Sequence, residues 1–80
     1  MFIYELEKGD KVLVEVDDVN GTKPKIAEYL GIDGAVPKLE ITDIVEIKEG
    51  KKTIKKEEKI NIILQASTMV KKNGDYYEII

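Results

Sequence analysis

Residues 51–74 read Lys51-Lys52-Thr53-Ile54-Lys55-Lys56-Glu57-Glu58-Lys59-Ile60-Asn61-Ile62-Ile63-Leu64-Gln65-Ala66-Ser67-Thr68-Met69-Val70-Lys71-Lys72-Asn73-Gly74, and the way they fold decides the class of the domain. As a strand, Ile60, Ile62, Leu64, Ala66, Thr68 and Val70 share one face. As a helix, Lys71-Lys72-Asn73-Gly74 would form its C-terminal cap. The β-branched residues Ile60, Ile62, Ile63, Thr68 and Val70 lose rotamer freedom in a helix, so the strand is preferred. Asn73-Gly74 then becomes a hairpin turn into a last strand over residues 76–80.

Working outward, Leu39, Ile41, Val45 and Ile47 alternate with Glu40, Thr42, Glu46 and Lys48, which predicts a long strand closed by a turn at Glu49-Gly50-Lys51. Asp43 and Ile44 interrupt the alternation, and a bulge is expected there. At the front, Phe2, Tyr4 and Leu6 alternate with Ile3, Glu5 and Glu7. Beyond Gly9-Asp10, Val12, Val14 and Val16 alternate with Lys11, Leu13, Glu15 and Asp17. Two antiparallel strands with one buried face follow from this. Between front and back, Asn20-Gly21 marks a turn, Thr22 can cap a helix, and Ile26, Tyr29 and Leu30 lie at helical spacing before Gly31. A short helix over 24–30 is the reading, with a second hairpin carrying Pro24 on an edge strand as the alternative.

The expected fold is therefore a single mainly β domain over residues 1–80. It would be a small rolled sheet or partly open barrel of five to six antiparallel strands with one short helix. A twisted sheet with the helix across one face competes with it. Eighty residues bury only about 60% of their unfolded surface, so the core is small.

Composition narrows the chemistry. All thirteen basic residues are lysine, and histidine, cysteine and tryptophan are absent. The usual proton shuttle, the best nucleophile, the disulfide and the structural zinc site go with them. Ser67, the one serine, lies in an apolar stretch, and the carboxylate pairs Asp17-Asp18 and Glu57-Glu58 are adjacent in sequence, so a strand points their members to opposite faces. No enzyme activity and no cofactor are expected. The abundance of lysine, glutamate and isoleucine resembles proteins of hot, AT-rich genomes, where ion-pair networks gain value. The chain shows no basic-plus-apolar leader and no apolar run near the roughly 18 residues that span a bilayer, so a cytoplasmic protein without membrane contact is expected. Asn20-Gly21-Thr22 matches a glycosylation acceptor only by chance in that setting.

Two short stretches carry likenesses to known motifs. Residues 22–36, centred on Ile26-Ala27-Glu28-Tyr29-Leu30-Gly31-Ile32, resemble the first helix and turn of a helix-turn-helix DNA reader. The recognition helix would have to run through Gly34 and Pro37, and no arginine is present to grip guanine. A short amphipathic helix closing the core accounts for the segment better. Asp18-Val19-Asn20-Gly21 looks like part of a calcium loop, but Val16 and Ala27 stand where the first and twelfth ligands belong, so it reads as a turn.

What remains is polarised charge. Residues 1–20 hold six acids against two lysines, and residues 51–80 hold seven lysines against four acids. Glu5, Glu7, Glu15 and Asp17 are expected on the solvent face of the first hairpin as an acidic surface for a protein partner. Lys51, Lys52, Lys55, Lys56 and Lys59 lie on a strand charged on both faces, hence on an exposed edge or projecting hairpin. Such lysines contact phosphate without reading sequence, but no aromatic in the segment can stack on a base, and Tyr76 and Tyr77 help only if the last strand pairs beside it. The final Tyr77-Glu78-Ile79-Ile80 either completes the sheet or pairs with a second copy. A non-catalytic binding or regulatory module acting through protein–protein contact is the leading expectation. A nucleic-acid-binding small barrel is the alternative, and homo-oligomerisation is compatible with either.

Overall fold

The computed structural model describes residues 1–80 apart from the side chain of Asp18, so the Asp17-Asp18 pair and the Asp18-Val19-Asn20-Gly21 likeness lie partly outside the described residues. Six strands follow a short 3₁₀ turn at Ile3–Glu5: β1 Lys11–Asp18, β2 Gly21–Asp33, β3 Val36–Glu49, β4 Lys52–Ile63, β5 Val70–Asn73 and β6 Tyr76–Ile79. They form one sheet in the order β4-β3-β2-β1-β6-β5. The sheet is curled but not closed, as expected for a small rolled sheet. It is mixed rather than wholly antiparallel, because β1 and β6 run parallel at Val12↔Tyr77 and Leu13↔Glu78.

The 51–74 stretch is strand, but in two pieces. Twelve residues form β4, and after a break Val70–Asn73 form β5 at the opposite edge of the sheet. Gly50 opens the two-residue turn between β3 and β4 with φ 60°, and Gly74 does the same between β5 and β6 with φ 65°. Both meet the demand of a type II′ turn for a positive φ at its first central residue.

Three local expectations are corrected. Residues 2–7 are not a strand paired with residues 11–17. Ile3 and Leu6 are buried while Phe2 and Tyr4 stack on each other in solvent, rings 5.3 Å apart. The three-residue spacing of Ile3 and Leu6 suits a 3₁₀ turn, and Glu5 holds it by accepting the Phe2 N–H at 2.6 Å. Residues 24–30 are not a helix but the middle of β2, whose hairpin with β1 turns at Val19-Asn20. Pro24 survives there because its position faces the β3 side of β2, where the β2–β3 ladder has already stopped at Glu28↔Glu40. Gly31 is not a helix stop; it sits where the β2–β3 register shifts after Tyr29, with φ 101°. The bulge expected at Asp43 and Ile44 is absent, since β3 and β4 pair without a break from Lys38↔Ile63 to Glu49↔Lys52. Asp43 is on the inward face with Leu39, Ile41 and Val45, and only its polarity had broken the pattern.

The core lies inside the curl: Ile3, Leu6, Val12, Val14, Ala27, Tyr29, Leu39, Ile41 and Val70, with Ile62, Leu64 and Tyr77 against it. Tyr29 is 1% exposed and its hydroxyl has no hydrogen-bond partner. Beyond the core the hairpins run on as two-stranded ribbons. Residues 42–49 and 52–59 pair only with each other, and the molecule measures 49 × 25 × 22 Å. Its radius of gyration of 14.8 Å exceeds the roughly 12 Å of a compact chain of this length.

Candidate functional site: open sheet edges and an acidic groove

A strand edge is a row of unpaired N–H and C=O groups, and this sheet treats its edges differently. The β5 edge is short and covered: Val70 N–H donates to Met1 C=O at 2.8 Å, Ile3 N–H donates to Thr68 C=O at 2.8 Å, and Phe2 bridges Met69. The β4 edge is twelve residues long and bare. A third stretch opens in the middle of the sheet. Tyr29 N–H donates to Asp10 C=O and Gly9 N–H donates to Tyr29 C=O, so even-numbered β1 residues face β2 and odd-numbered ones face β6. The β6 ladder ends at Leu13↔Glu78, which leaves the backbone of Glu15 and Asp17 facing outward.

Where β6 leaves β1 there is a groove of about 510 Å³ lined by Leu13, Val14, Glu15, Glu78 and Ile79. Leu13 and Glu78 are directly opposite, and Glu15 follows Leu13 on the same face. The groove thus pairs two carboxylates with apolar walls. Glu78 is held in place by Asn73, whose Nδ2 donates to Oε1 at 2.7 Å, and by Lys71 at 3.9 Å. A second cleft of about 260 Å³, lined by Val16, Asp17, Lys23, Lys25, Asp43 and Ile60, lies between the two ribbons.

The four acids expected on one face are not brought together. Glu5 caps the 3₁₀ turn, and Glu7 lies in the turn before β1, where its N–H donates to Asp10. Glu15 lines the groove, while Asp17 accepts the Thr22 hydroxyl at 3.0 Å and lines the inter-ribbon cleft. Sequence reasoning missed Glu78, which reaches Glu15 only through the parallel β1–β6 pairing. Nothing local signals that pairing.

The lysine segment does stand on a projecting hairpin, and that hairpin is also the sheet edge. Lys55 and Lys59 lie on one face, Lys52 and Lys56 on the other, and Lys51 in the turn. Carboxylates oppose them: Glu46 faces Lys55, Glu49 faces Lys52, and Glu40 is 3.7 Å from Lys59. Three strands separate β4 from β6, so Tyr76 and Tyr77 are not beside these lysines, and Lys72 lies over the Tyr77 ring at 6.0 Å instead. The final strand lies between β1 and β5, and its side toward β1 is paired only at Tyr77 and Glu78.

Among the described residues no three carboxylates converge in a way that could hold a metal ion, and no helix is long and apolar enough to cross a membrane. Comparison with protein-family models, with curated proteins and with solved structures gives no match.

Proposed function

We propose that this chain is a small non-catalytic binding module that docks an extended, basic segment of a partner protein in the groove between β1 and β6. The observation that carries the reading is the open backbone of Glu15 and Asp17 beside a groove holding Glu15 and Glu78. An incoming strand finds main-chain donors and acceptors for affinity, with carboxylates and the apolar Leu13 and Ile79 for side-chain selection. A segment alternating lysine or arginine with aliphatic residues matches both. The lysine ribbon supports the nucleic-acid alternative less well, because its charges are split over two faces and interleaved with Glu46, Glu49, Glu57 and Glu58.

The test is an NMR titration of the labelled protein with a peptide of alternating valine and lysine. Amide shifts concentrated at Leu13–Asp17 and Glu78–Ile80, and lost in the Glu15→Lys, Glu78→Lys double variant, support the groove. Shifts scattered over the surface, or unchanged in the variant, reject it.

A further inference from the structure

A different surface, the bare edge of β4, carries an inference of its own. Leu64 N–H donates to Pro37 C=O at 3.2 Å, which sets the alternation along β4: even-numbered residues bond β3, while Thr53, Lys55, Glu57, Lys59, Asn61 and Ile63 turn their N–H and C=O groups outward. The usual defences of an edge are a short strand, a proline, a bulge, a cover or charged side chains, lysine above all, and of these β4 has only the charges of Lys52, Lys55, Lys56 and Lys59. β4 has no proline, its ladder with β3 has no bulge, and nothing lies alongside it. Beyond Ile41↔Ile60, moreover, β3 and β4 pair in the sheet only with each other, and a two-stranded ribbon is marginal in water.

We infer that β4 pairs antiparallel with β4 of a second copy of this chain, across a two-fold axis at Glu58, so that the two ribbons become one four-stranded sheet. A two-fold axis normal to the sheet keeps each face on its own side, so only residues of like parity can oppose each other. Among those registers, one uses all six outward-facing residues: Thr53 opposite the partner's Ile63, Lys55 opposite the partner's Asn61, and Glu57 opposite the partner's Lys59, each occurring twice. It is also the register in which the charges agree. A two-residue slip one way puts Lys55 opposite Lys59 twice and Glu57 opposite itself. A slip the other way puts Lys59 opposite itself and leaves Thr53 without a partner.

The inward face agrees as well. Ile47 faces Ile54 within one chain, and Ile62 faces Leu39. The dimer sets Ile54 beside the partner's Ile62 and joins these pairs into one apolar row across four strands. Ile54 and Ile63, 45% and 60% exposed in the single chain, gain cross-strand neighbours. The one unfavourable contact is Glu58 against its own copy, with Lys56 of each chain on the diagonal.

Sedimentation equilibrium of the full chain at several concentrations tests this. A reversible dimer is expected. Glu57→Lys or Lys59→Glu alone should weaken it about tenfold, since each places like charges at two symmetric positions. Equimolar mixing of the two variants, or the double exchange within one chain, should restore it. Glu58→Gln should tighten the dimer. Because the chain has no cysteine, Glu58→Cys gives an independent readout. The axis places the two Cα atoms about 4.5 Å apart, within disulfide range, so air oxidation should yield a covalent dimer, whereas Lys48→Cys on β3 should not. A monomer at millimolar concentration, or a dimer indifferent to both charge variants with no Glu58→Cys crosslink, overturns the proposal.

Discussion

Lys25 Nζ lies 2.7 Å from Asp43 Oδ1 and joins β2 to β3 beyond the point where their ladder ends at Glu28↔Glu40. On β4, Glu58 stands directly opposite Asp43. Asp43 thus has a cation on one side and a like charge on the other, so the loss of Lys25 differs from the loss of Asp43. Lys25→Met should cost about 1 kcal/mol and Asp43→Asn less than half of that, because the second change also relieves the facing pair. Urea denaturation of both variants checks the order. Equal costs would mean that Glu58 does not feel Asp43.

Tyr29 is the largest fully buried side chain, and its hydroxyl is a buried side-chain oxygen without a hydrogen-bond partner. Tyr29→Phe removes an unsatisfied donor and should leave stability unchanged or raise it by up to about 1 kcal/mol. A loss larger than that would show that the hydroxyl is bonded. Burial also pushes the Tyr29 phenol above its ordinary value of 10.0. The folded state then holds its proton longer than the unfolded chain, so this contribution is complete below pH 10 and declines as pH rises toward the folded value. Denaturation midpoints at alkaline pH should fall faster for the parent chain than for Tyr29→Phe.

Gly31 combines φ 101° with a close approach: an added Cβ would meet Lys8 Cε at 2.9 Å. The lysine end is flexible and can move, whereas the backbone angle cannot relax without undoing the β2–β3 register shift. Gly31→Ala should cost about 1–3 kcal/mol, mostly as backbone strain. Adding Lys8→Ala should recover little of the loss in thermal unfolding. Full recovery would assign the cost to the contact instead.

At the β2–β3 turn, Lys38 Nζ donates to Asp33 Oδ2 at 2.6 Å. That hydrogen bond, and then the lysine charge, hold the Asp33 carboxyl below its ordinary 3.8. A lowered folded value means that the contribution is present above pH 3.8 and disappears as pH falls through the folded value. Carboxyl NMR titration should show Asp33 returning toward 3.8 in Lys38→Met. An unchanged titration would detach the shift from Lys38.

The strands at the back were legible because β-branched residues and Gly-containing two-residue turns act locally: β3, its turn at Gly50 and the Asn73-Gly74 hairpin stand where the pattern put them. Residues 24–30 misled because Ile26, Tyr29 and Leu30 fit a helical face, while in β2 the buried side is the alternation Ala27, Tyr29 and Gly31, whose last member has no side chain to show it. The 2–7 segment misled for the opposite reason, since a 3₁₀ turn too short to show a period carries Ile3 and Leu6. Of the expected acidic surface, only Glu15 lines the groove on which the proposed function rests. Its companion Glu78 is 63 positions away (78 minus 15) and arrives through a parallel pairing of two residue pairs.

By itself the sequence determined the β class, the exposed lysine hairpin and the want of the side chains that most enzymes use, because these follow from side-chain chemistry and periods of two or three residues. Only the tertiary structure decided which edges stay open. Edge exposure depends on the order of strands in the sheet, and that order is set by the curl that buries Val12, Tyr29, Leu39 and Val70 together. The curl brings residues 1–3 against β5 and leaves β4 bare, and it lets β6 leave β1 at Glu78 to open the groove.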